Sequence, residues 1–466
     1  MTRANGRLVV VSNRLPEPGG LGPPKPGHKP ASVGGLVSAL KPALLAAPEA
    51  VWLGWSGRSG TGRRATRTTR MGPLQMVGLD LTPAEVEEYY DGFCNRTLWP
   101  LLHTFPQRVV IDHGQHARWR EVNQVFARAL ARRLRPGDRV WVHDYHLIGL
   151  GAALREAGFA GPVGFFLHVP FPPHDVLSIL PWAEELLRDL LGYDLVGFHT
   201  RGYAENYLEA LSRELRGQGS PRTQRVGVYP IGIDPTPYKG WTEEPDSRLI
   251  GERLRLSLQG RHLVLGVDRL DYSKGIPERL RAFGRLLELH PEWRRRVSYV
   301  QISAPSRTKV SEYVAQRREV EALVGHMNGK LGEPDWVPIR YVFRAYSQRQ
   351  LASLYRLADV GFVAPLRDGM NLVAKEFVAA QGEGDPGVLV LSRFAGAVDQ
   401  LSEAVLVNPY DADGTAHALA RALELPWAER VRRQQVLLRS VREETAERWA
   451  RSFLRDLGRK ASRRSG

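Results

Sequence analysis

Near its middle the chain reads Leu263-Val-Leu-Gly-Val267, continues with Asp268-Arg-Leu-Asp-Tyr-Ser-Lys274, and then enters the segment Pro277–Leu289. The first part is short, continuous and apolar, which is typical of a buried strand, whereas the apolar residues of the last part recur at helical spacing. A strand that is apolar throughout is typical of a parallel sheet whose two faces are both covered by helices. This succession of strand, charged loop and helix therefore predicts an α/β fold.

The same succession recurs along the whole chain. Eight further apolar runs are predicted strands: Leu8–Val11, Val140–Val142, Val163–Leu167, Leu195–Phe198, Val226–Tyr229, Tyr299–Ile302, Val360–Val363 and Val388–Leu391. Amphipathic, helix-like segments separate them, among them Val122–Leu134, Tyr203–Leu215 and Arg349–Leu357. The pattern breaks in mid-chain at Tyr229-Pro-Ile-Gly-Ile-Asp-Pro-Thr-Pro237, where prolines interrupt regular structure, and a new series follows. We therefore expect two sheets with a hinge near this segment.

The composition is that of a globular protein, with 43% hydrophobic and 25% charged residues among 466. That length predicts about two to three domains. The single cysteine, Cys94, excludes an intrachain disulfide and a multi-thiolate metal site. No run is long and apolar enough to span a membrane, and the N-terminus lacks the apolar core of a signal peptide. These features lead us to expect a soluble, cytoplasmic protein.

Charged or imidazole side chains directly follow six of the predicted strands. In doubly wound sheets, ligands bind outside the carboxyl ends of the strands, so these side chains mark a candidate site. The side chains singled out in this way are Arg14, Asp144, His168, Arg269, Lys274, Arg307 and Asp368. They come from both halves of the chain, which predicts a cleft shared by two domains. Their arginines and lysine suit an anionic ligand such as a phosphate.

Two glycine-containing turns open helix-like segments: Gly34-Gly35, and Gly369-Met370-Asn371-Leu372 before the run that carries Glu376. Free amides at a helix N-terminus bind phosphate, although an ordinary turn accounts for Gly34-Gly35 equally well. Neither a Walker motif nor a Rossmann glycine fingerprint follows the first strand. ATPase and dehydrogenase activities are therefore disfavoured.

Two groups of potential metal ligands have simpler explanations. His143 and His146 suggest no third ligand, and we interpret them as a hydrogen-bonded pair at a strand end. Asp411 and Asp413 precede a helix, where turn and N-cap chemistry is sufficient. The sequence therefore predicts no metal site.

Several long motifs resemble those of the trehalose-6-phosphate synthases. They are Val9-Val-Val-Ser-Asn-Arg14, Trp52-Leu-Gly-Trp-Ser-Gly57, Tyr89-Tyr90 with Leu98-Trp99-Pro100, Val142-His-Asp-Tyr-His146, Gly164-Phe-Phe-Leu-His-Val-Pro-Phe-Pro172, Val228-Tyr-Pro-Ile-Gly-Ile233, Arg269-Leu-Asp-Tyr-Ser-Lys-Gly275 and Pro365-Leu-Arg-Asp-Gly-Met-Asn-Leu-Val-Ala-Lys-Glu376. The resemblance implies two Rossmann-like domains facing a cleft, the GT-B arrangement. We expect an acceptor-binding domain at 1–234, a nucleotide-sugar-binding domain at 235–440, and a C-terminal helix with a basic tail at 441–466 that packs back on the first domain.

The resemblance also implies a role for each candidate residue. The residues implied at the reacting groups are Arg269, Lys274, His168 and Asp368. Those implied to bind the acceptor are Arg14, Tyr90, Trp99, Asp144 and Arg307. Those implied to bind the donor are Gly34, Gly35, Gly369, Met370, Asn371, Leu372 and Glu376. On its position alone, Glu376 is equally well explained as a solvated residue within its helix.

The activity implied is transfer of glucose from a nucleoside diphosphate glucose to glucose 6-phosphate, with retention of configuration and without a metal or cofactor. Arg269 and Lys274 would stabilise the leaving diphosphate. The small Ala345, near the expected base site, leaves room for a purine, so GDP-glucose and UDP-glucose are equal candidates.

Other functions remain open at this point. One is a related synthase with another acceptor, such as a glucosylglycerol-phosphate synthase, and another is a non-catalytic homologue that senses sugar phosphates. The net charge of +15 also suggests nucleic-acid binding. The basic residues are scattered among acidic ones, however, which favours a solvated basic surface. We expect small-molecule substrates and no nucleic-acid or membrane partner. The sequence leaves open whether the protein forms a homo-oligomer.

Overall fold

Two β-sheets, one of eight strands and one of six, organise the part of the chain that the structure describes. The structure is a computed structural model, and it describes residues 6–16, 35–60, 66–215, 224–307, 310–382 and 384–459. These residues form two compact units. The first contains Leu36–Ile231, the strand before it and the chain from Glu447 onward, and the second contains Gly232–Ala446. The domain boundaries given above from the sequence remain predictions.

The eight-stranded sheet lies in the first unit. Its strands are β1 (Leu8–Arg14), β2 (Ala50–Ser59), β3 (Thr66–Met71), β4 (Leu74–Leu81), β5 (Arg139–His143), β6 (Val163–Phe166), β7 (Leu195–Phe198) and β8 (Arg225–Val228). They lie in the order β3-β4-β2-β1-β5-β6-β7-β8, and every neighbouring pair is parallel except β3 and β4. The chain order reverses between β1 and β5, so the sheet has a topological switch point there.

The six-stranded sheet lies in the second unit and is parallel throughout. Its strands are β9 (His262–Arg269), β10 (Val297–Ala304), β11 (Ile339–Phe343), β12 (Val360–Val363), β13 (Val388–Ser392) and β14 (Val405–Val407). Their order, β11-β10-β9-β12-β13-β14, is the 3-2-1-4-5-6 order of a Rossmann fold. The switch point of this sheet lies between β9 and β12. The prediction of two parallel-sheet α/β domains is confirmed.

Helices connect the strands in both units. They are α1 (Gly35–Ala46), α2 (Pro83–Glu85), α3 (Trp99–Leu102), α4 (His113–Ala131), α5 (Leu150–Glu156), α6 (His174–Leu177), α7 (Ala183–Leu190), α8 (Arg201–Glu214), α9 (Thr236–Glu243), α10 (Pro245–Leu258), α11 (Ile276–Leu289), α12 (Ser311–Leu331), α13 (Gln348–Leu357), α14 (Leu372–Ala380), α15 (Ala412–Glu424), α16 (Trp427–Glu443) and α17 (Ala446–Gly458). Between α2 and α3, residues Val86–Leu98 are wound as a π-helix, so the three segments form one continuous helix. None of the helices within the described ranges is long and apolar enough to cross a membrane.

Side-chain caps fix where several helices begin. Thr82 accepts a hydrogen bond from the Glu85 amide (3.2 Å), and the Glu85 carboxylate accepts one from the Thr82 amide (2.8 Å), which is a complete capping box. Asp411 caps α15 by accepting from the Gly414 amide (2.8 Å), as the sequence predicts. Asp413 forms an ion pair with Arg285 (2.6 Å). Both carboxylates therefore have structural partners.

The last described helix, α17, covers one face of the first sheet. The ring of Phe453 stacks on that of Trp141 at 4.8 Å, and the ring of Trp449 lies 4.9 Å from it. Gly164, on β6, makes room for this contact, since a Cβ there would lie 2.7 Å from Phe453. The first unit is thus completed by residues from the end of the chain.

Candidate active site

In the first unit, the predicted acceptor residues gather at the switch point of the eight-stranded sheet. Arg14 is the last residue of β1, and Asp144 directly follows β5, so the two leave neighbouring strands at their carboxyl ends. His168 lies two residues beyond β6, the next strand in the sheet. This edge is where ligands bind in doubly wound folds.

Asp144 has an unusual backbone conformation, with φ at 74°. Its amide donates to the carbonyl of Phe166 (2.8 Å), and its Oδ1 accepts a hydrogen bond from the amide of His168 (3.2 Å). A left-handed conformation is strained for a residue other than glycine, and such strain concentrates at functional sites. These bonds tie the predicted acceptor residue Asp144 to the predicted donor-sugar residue His168.

A continuous row of rings lies beside Arg14 and Asp144. The Arg14 guanidinium lies 5.4 Å from the centre of the Trp55 ring, which lies 5.7 Å from the ring of Tyr90. The row continues from Tyr90 to His146 (5.9 Å), to Tyr145 (3.9 Å) and to Trp99 (5.7 Å). Aromatic rings and a cation suit a sugar that carries a phosphate.

The π-helix explains how Tyr90 and Trp99 reach the same turn, Tyr145–His146. Trp99 follows Tyr90 by nine residues. In an α-helix, with about 3.6 residues per turn, that spacing makes two and a half turns and puts the two side chains on opposite faces. A π-helix has i→i+5 hydrogen bonds and about 4.4 residues per turn, so nine residues make roughly two turns. The π winding of Val86–Leu98 therefore brings both rings to one face.

His143 and His168 form the imidazole pair of this unit, with His143 Nδ1 3.0 Å from His168 Nε2. The prediction that His143 is hydrogen-bonded to His146 is therefore wrong, because the partner of His143 is His168. Burial lowers the pKa of His143 to about 3. Burial also lowers the pKa of His168 well below its ordinary value, with His143 and His199 adding to the effect. Both rings are thus neutral at pH 7.

In the second unit, the predicted donor residues gather at the switch point between β9 and β12. Lys274 follows β9 and forms an ion pair with Asp368, which follows β12, at 2.5 Å. Asp368 also accepts hydrogen bonds from the amide of Gly369 (2.9 Å) and from Nδ2 of Asn371 (3.0 Å). Arg269, the last residue of β9, is exposed at the same edge. Lys274 therefore pairs with a firmly held carboxylate, and Arg269 adds a second cation at this edge of the sheet.

The turn from Gly369 to Leu372 joins Asp368 to helix α14. Asn371 precedes this helix with φ at 71°, and its buried Oδ1 has no hydrogen-bond partner among the described residues. Met370 is buried and accepts a hydrogen bond from the amide of Ala397 (2.9 Å). Leu372 is the first residue of α14.

Asp271 is a buried charge that the sequence analysis did not assign. Its side chain is fully buried, and its Oδ2 accepts hydrogen bonds from Arg307 Nη1 (3.3 Å) and from the Tyr313 hydroxyl (3.2 Å). Arg307 in turn contacts the Tyr313 hydroxyl. Burial raises the pKa of Asp271, but Arg307, Arg269 and Lys274 outweigh it and hold the pKa at about 2. The one sequence signal was its position in the strand-end turn, three residues before Lys274.

Glu376 is buried rather than solvated, so the alternative of a solvated helical glutamate is wrong. Gln348 donates to its Oε1 (3.2 Å) and the Tyr355 hydroxyl to its Oε2 (3.3 Å), while Tyr238 forms a further hydrogen bond. Burial raises its pKa despite these donors. The carboxyl group is therefore fixed in place.

Gly35 is the first residue of α1, and Gly34 lies outside the described residues. Within the described ranges, no three His, Cys, Asp or Glu side chains are grouped so that they could hold a metal ion. The roles assigned to the site residues stay predictions.

Comparison with known proteins identifies relatives along nearly the whole chain. The model of glycosyltransferase family 20 matches residues 6–459. A trehalose-6-phosphate synthase of Sinorhizobium fredii is 45% identical over 463 residues, which cover 97% of this chain and 98% of the relative.

Solved structures of similar proteins have the same fold. A UDP-forming alpha,alpha-trehalose-phosphate synthase from Burkholderia xenovorans, in complex with glucose 6-phosphate, superposes with a TM-score of 0.91 at 40% identity and covers 97% of this chain and 100% of its own. An E. coli protein of the same type, bound with UDP-2-fluoro glucose, has a TM-score of 0.91 at 37% identity, with coverage of 98% and 100%. The predicted GT-B fold class is confirmed. With a family match across residues 6–459 and relatives this similar, the chain belongs to glycosyltransferase family 20, the enzyme family of the trehalose-6-phosphate synthases.

Proposed function

We propose that this enzyme transfers glucose from a nucleoside diphosphate glucose to glucose 6-phosphate, giving alpha,alpha-trehalose 6-phosphate with retention at the anomeric carbon and without a metal. The observation that carries the proposal is the charge arrangement at the second switch point, where Lys274 pairs with Asp368 and where both Lys274 and Arg269 lower the pKa of Asp271. Such cations stabilise a diphosphate as it leaves. Glucose 6-phosphate bound to the Burkholderia xenovorans relative supports the acceptor.

The state of Asp368 supports retention by front-face substitution. A retaining glycosidase uses a carboxylate as a nucleophile close to the anomeric carbon. Asp368 instead accepts bonds from Lys274, Gly369 and Asn371, which lower its nucleophilicity and suit it to orient sugar hydroxyls. In the proposed step the bond from the anomeric carbon to the diphosphate breaks and the acceptor hydroxyl forms the new bond. Its proton passes to the departing phosphate oxygen.

Positioning carries the rest of the rate enhancement. The acceptor is assigned to Arg14, Tyr90, Trp99 and Asp144, with Arg307 as a further phosphate ligand. His168 and Asp368 are assigned to the donor glucose, and the buried Glu376 to the ribose hydroxyls. UDP-glucose is the donor that the names of the relatives favour. The exposed Ala345 keeps GDP-glucose as a rival.

A donor and acceptor screen tests the proposal. Purified enzyme is incubated with UDP-, GDP- or ADP-glucose and with glucose 6-phosphate, glycerol 3-phosphate or glucose, and nucleotide release and disaccharide phosphate are measured. We expect trehalose 6-phosphate only with glucose 6-phosphate, at a rate unchanged by EDTA. Lys274→Ala should lower kcat by about 10²–10³-fold, the typical loss on removing one such donor. Lys239→Ala, an exposed lysine on α9, should have no effect.

Each other outcome has a definite meaning. Product formed only with glycerol 3-phosphate would identify a synthase with a different acceptor. Activity that disappears in EDTA and returns with Mn²⁺ would refute the metal-independent step. Sugar-phosphate binding without turnover on any donor would identify a sensing homologue.

A further inference from the structure

His143 and His168 meet at the carboxyl ends of two neighbouring strands of the first unit. His143 ends β5 and is fully buried, and His168 lies just beyond β6. The distance of 3.0 Å between His143 Nδ1 and His168 Nε2 is that of a hydrogen bond. Since both rings are neutral, a single proton lies between these nitrogens, and it belongs to one ring or the other.

The surroundings of His143 decide which ring donates. Its other nitrogen, Nε2, is buried and has no hydrogen-bond partner among the described residues. A proton on Nε2 would leave a buried N–H group unsatisfied, which folded proteins rarely tolerate, whereas a bare acceptor is tolerated more often. The proton of His143 therefore lies on Nδ1, and His143 donates to His168.

This hydrogen bond determines the tautomer of His168. A neutral imidazole carries one proton, and the bond at one nitrogen sets the state of the other. Because Nε2 of His168 accepts, its proton lies on Nδ1. The backbone of His168 is held separately, through its amide bond to Asp144 (3.2 Å). Each ring nitrogen of His168 either has a hydrogen-bond partner or is accessible to solvent, which is not true of Nε2 of His143.

We propose that His143 is a positioning residue, which holds His168 as the Nδ1–H tautomer and so presents a hydrogen-bond donor to an oxygen of the donor sugar. The inference rests on the proposed function, which assigns His168 to the donor glucose. Without the Nδ1–H group of His143, the His168 ring is free to take the other tautomer and offers an acceptor where the sugar needs a donor.

The tautomer can be measured without any turnover. In protein labelled with ¹⁵N-histidine, two-bond nitrogen–proton correlations distinguish a protonated from a bare ring nitrogen, and His168→Gln assigns the signals of His168. We expect a protonated Nδ1 and a bare Nε2 in the wild-type protein. In His143→Leu we expect a mixture of both tautomers. A protonated Nε2 of His168 in the wild-type protein would overturn the proposal.

Kinetics then test the consequence. Asparagine has its amide nitrogen near the position of histidine Nδ1 and glutamine near that of Nε2, so the two variants form a matched pair. Loss of one hydrogen bond predicts about a tenfold lower kcat/KM for the nucleotide sugar in His143→Leu, with an unchanged KM for glucose 6-phosphate. His143→Asn should recover most of the loss and His143→Gln little of it.

The controls separate this proposal from the function on which it rests. Thermal unfolding of each variant shows whether the unit is intact. Equal losses in the leucine, asparagine and glutamine variants, or none in His143→Leu, would show that His143 only fills space. If the wild-type protein proved inactive as a synthase, the proposed function would fail, and the nitrogen correlations would still report on the histidine pair.

Discussion

At the scale of single residues, Asp271 is the charge on which the second switch point depends. It is fully buried, and its pKa of about 2 lies below the ordinary value of 3.8, because three cations outweigh the effect of burial. A carboxylate whose pKa is lower in the folded state stabilises the fold above its unfolded pKa. That contribution is lost as the pH falls through about 4 toward 2.

We predict that Asp271→Asn lowers the free energy of unfolding at pH 7 by about 2 kcal/mol, the equivalent of the lowered pKa. The difference from the wild-type protein should narrow below pH 4, where Asp271 itself becomes protonated. Urea unfolding from pH 7 to pH 3 measures both quantities. Asp335→Asn removes an exposed partner of Arg295 and should change stability by less than about 1 kcal/mol. A difference between wild type and Asp271→Asn that is constant over this range would contradict the assignment.

The strand-end rule found side chains such as Arg14, Asp144 and Arg269, because the end of a strand and the residue after it are adjacent in sequence. The burial of Glu376 could not be found in this way. Its partners Gln348 and Tyr355 lie on α13, and its partner Tyr238 lies on α9. Such contacts depend on how helices pack, which no short stretch of sequence encodes.

At the scale of elements, the π-helix Val86–Leu98 determines where two of the predicted acceptor residues lie. Gly92 is buried in it, and a Cβ at this position would lie 2.6 Å from the side chain of Gln115 on α4 and 3.1 Å from the carbonyl of Glu87. The absence of a side chain at this glycine allows the π-helix and α4 to pack closely. The orientation of Tyr90 and Trp99 depends on that packing.

We predict that Gly92→Ala destabilises the protein by about 1–3 kcal/mol, the usual cost of overpacking, and raises the KM for glucose 6-phosphate more than that for the donor. Thermal unfolding and steady-state kinetics measure the two effects. Gly202→Ala is the matched control, since its Cβ would meet nothing within 4 Å on helix α8, and it should be neutral or slightly stabilising. A Gly92→Ala variant with normal stability and acceptor KM would show that the winding of this helix tolerates the extra methyl group.

Short apolar runs predicted most of the strands, but not all of them. All nine predicted strands are present, but five further strands of the described residues were missed: β2, β3, β4, β11 and β14. Of these, β2 and β4 are apolar and mostly buried, so their composition could have marked them. In contrast, β3 (Thr66–Met71) is mostly polar and exposed, and β14 (Val405–Val407) has only three residues. Neither stands out by composition. The capping box at Thr82 correctly marked the start of a helix, yet nothing local indicated that its next thirteen residues adopt π geometry. That winding requires the partners packed around it.

At the scale of the whole molecule, the first unit is completed by α17, which follows the second unit in the sequence. Phe453 of α17 is fully buried against the rings of Trp141 (4.8 Å) and Tyr229 (5.2 Å). The neighbouring Trp449 ring lies 5.8 Å from the ring of His168. Helix α17 therefore supports both the fold of the first unit and its candidate site.

We predict that Phe453→Ala lowers the free energy of unfolding by about 3–5 kcal/mol, the range for truncating a buried aromatic residue. Guanidinium unfolding followed by tryptophan fluorescence measures the loss, because Trp141 and Trp449 both border the cavity created. Arg451→Ala, on the exposed side of the same helix, removes only an ion pair with Glu447 and should cost about 0.5 kcal/mol or less. A loss below about 1 kcal/mol for Phe453→Ala would mean that α17 contributes little to the first unit.

The position of Phe453 also matters while the protein is being made. It follows Ile231 by about 220 residues, so a ribosome that adds ~5–20 residues per second needs roughly 10–45 s to supply it. Every strand of the eight-stranded sheet has left the ribosome by then, but the face at Trp141 and Gly164 is still uncovered. A nascent chain in this interval exposes the apolar aromatic surface that α17 covers in the folded protein. We therefore expect the synthesis of this protein to depend most on chaperones after its first domain has been translated and before α17 emerges.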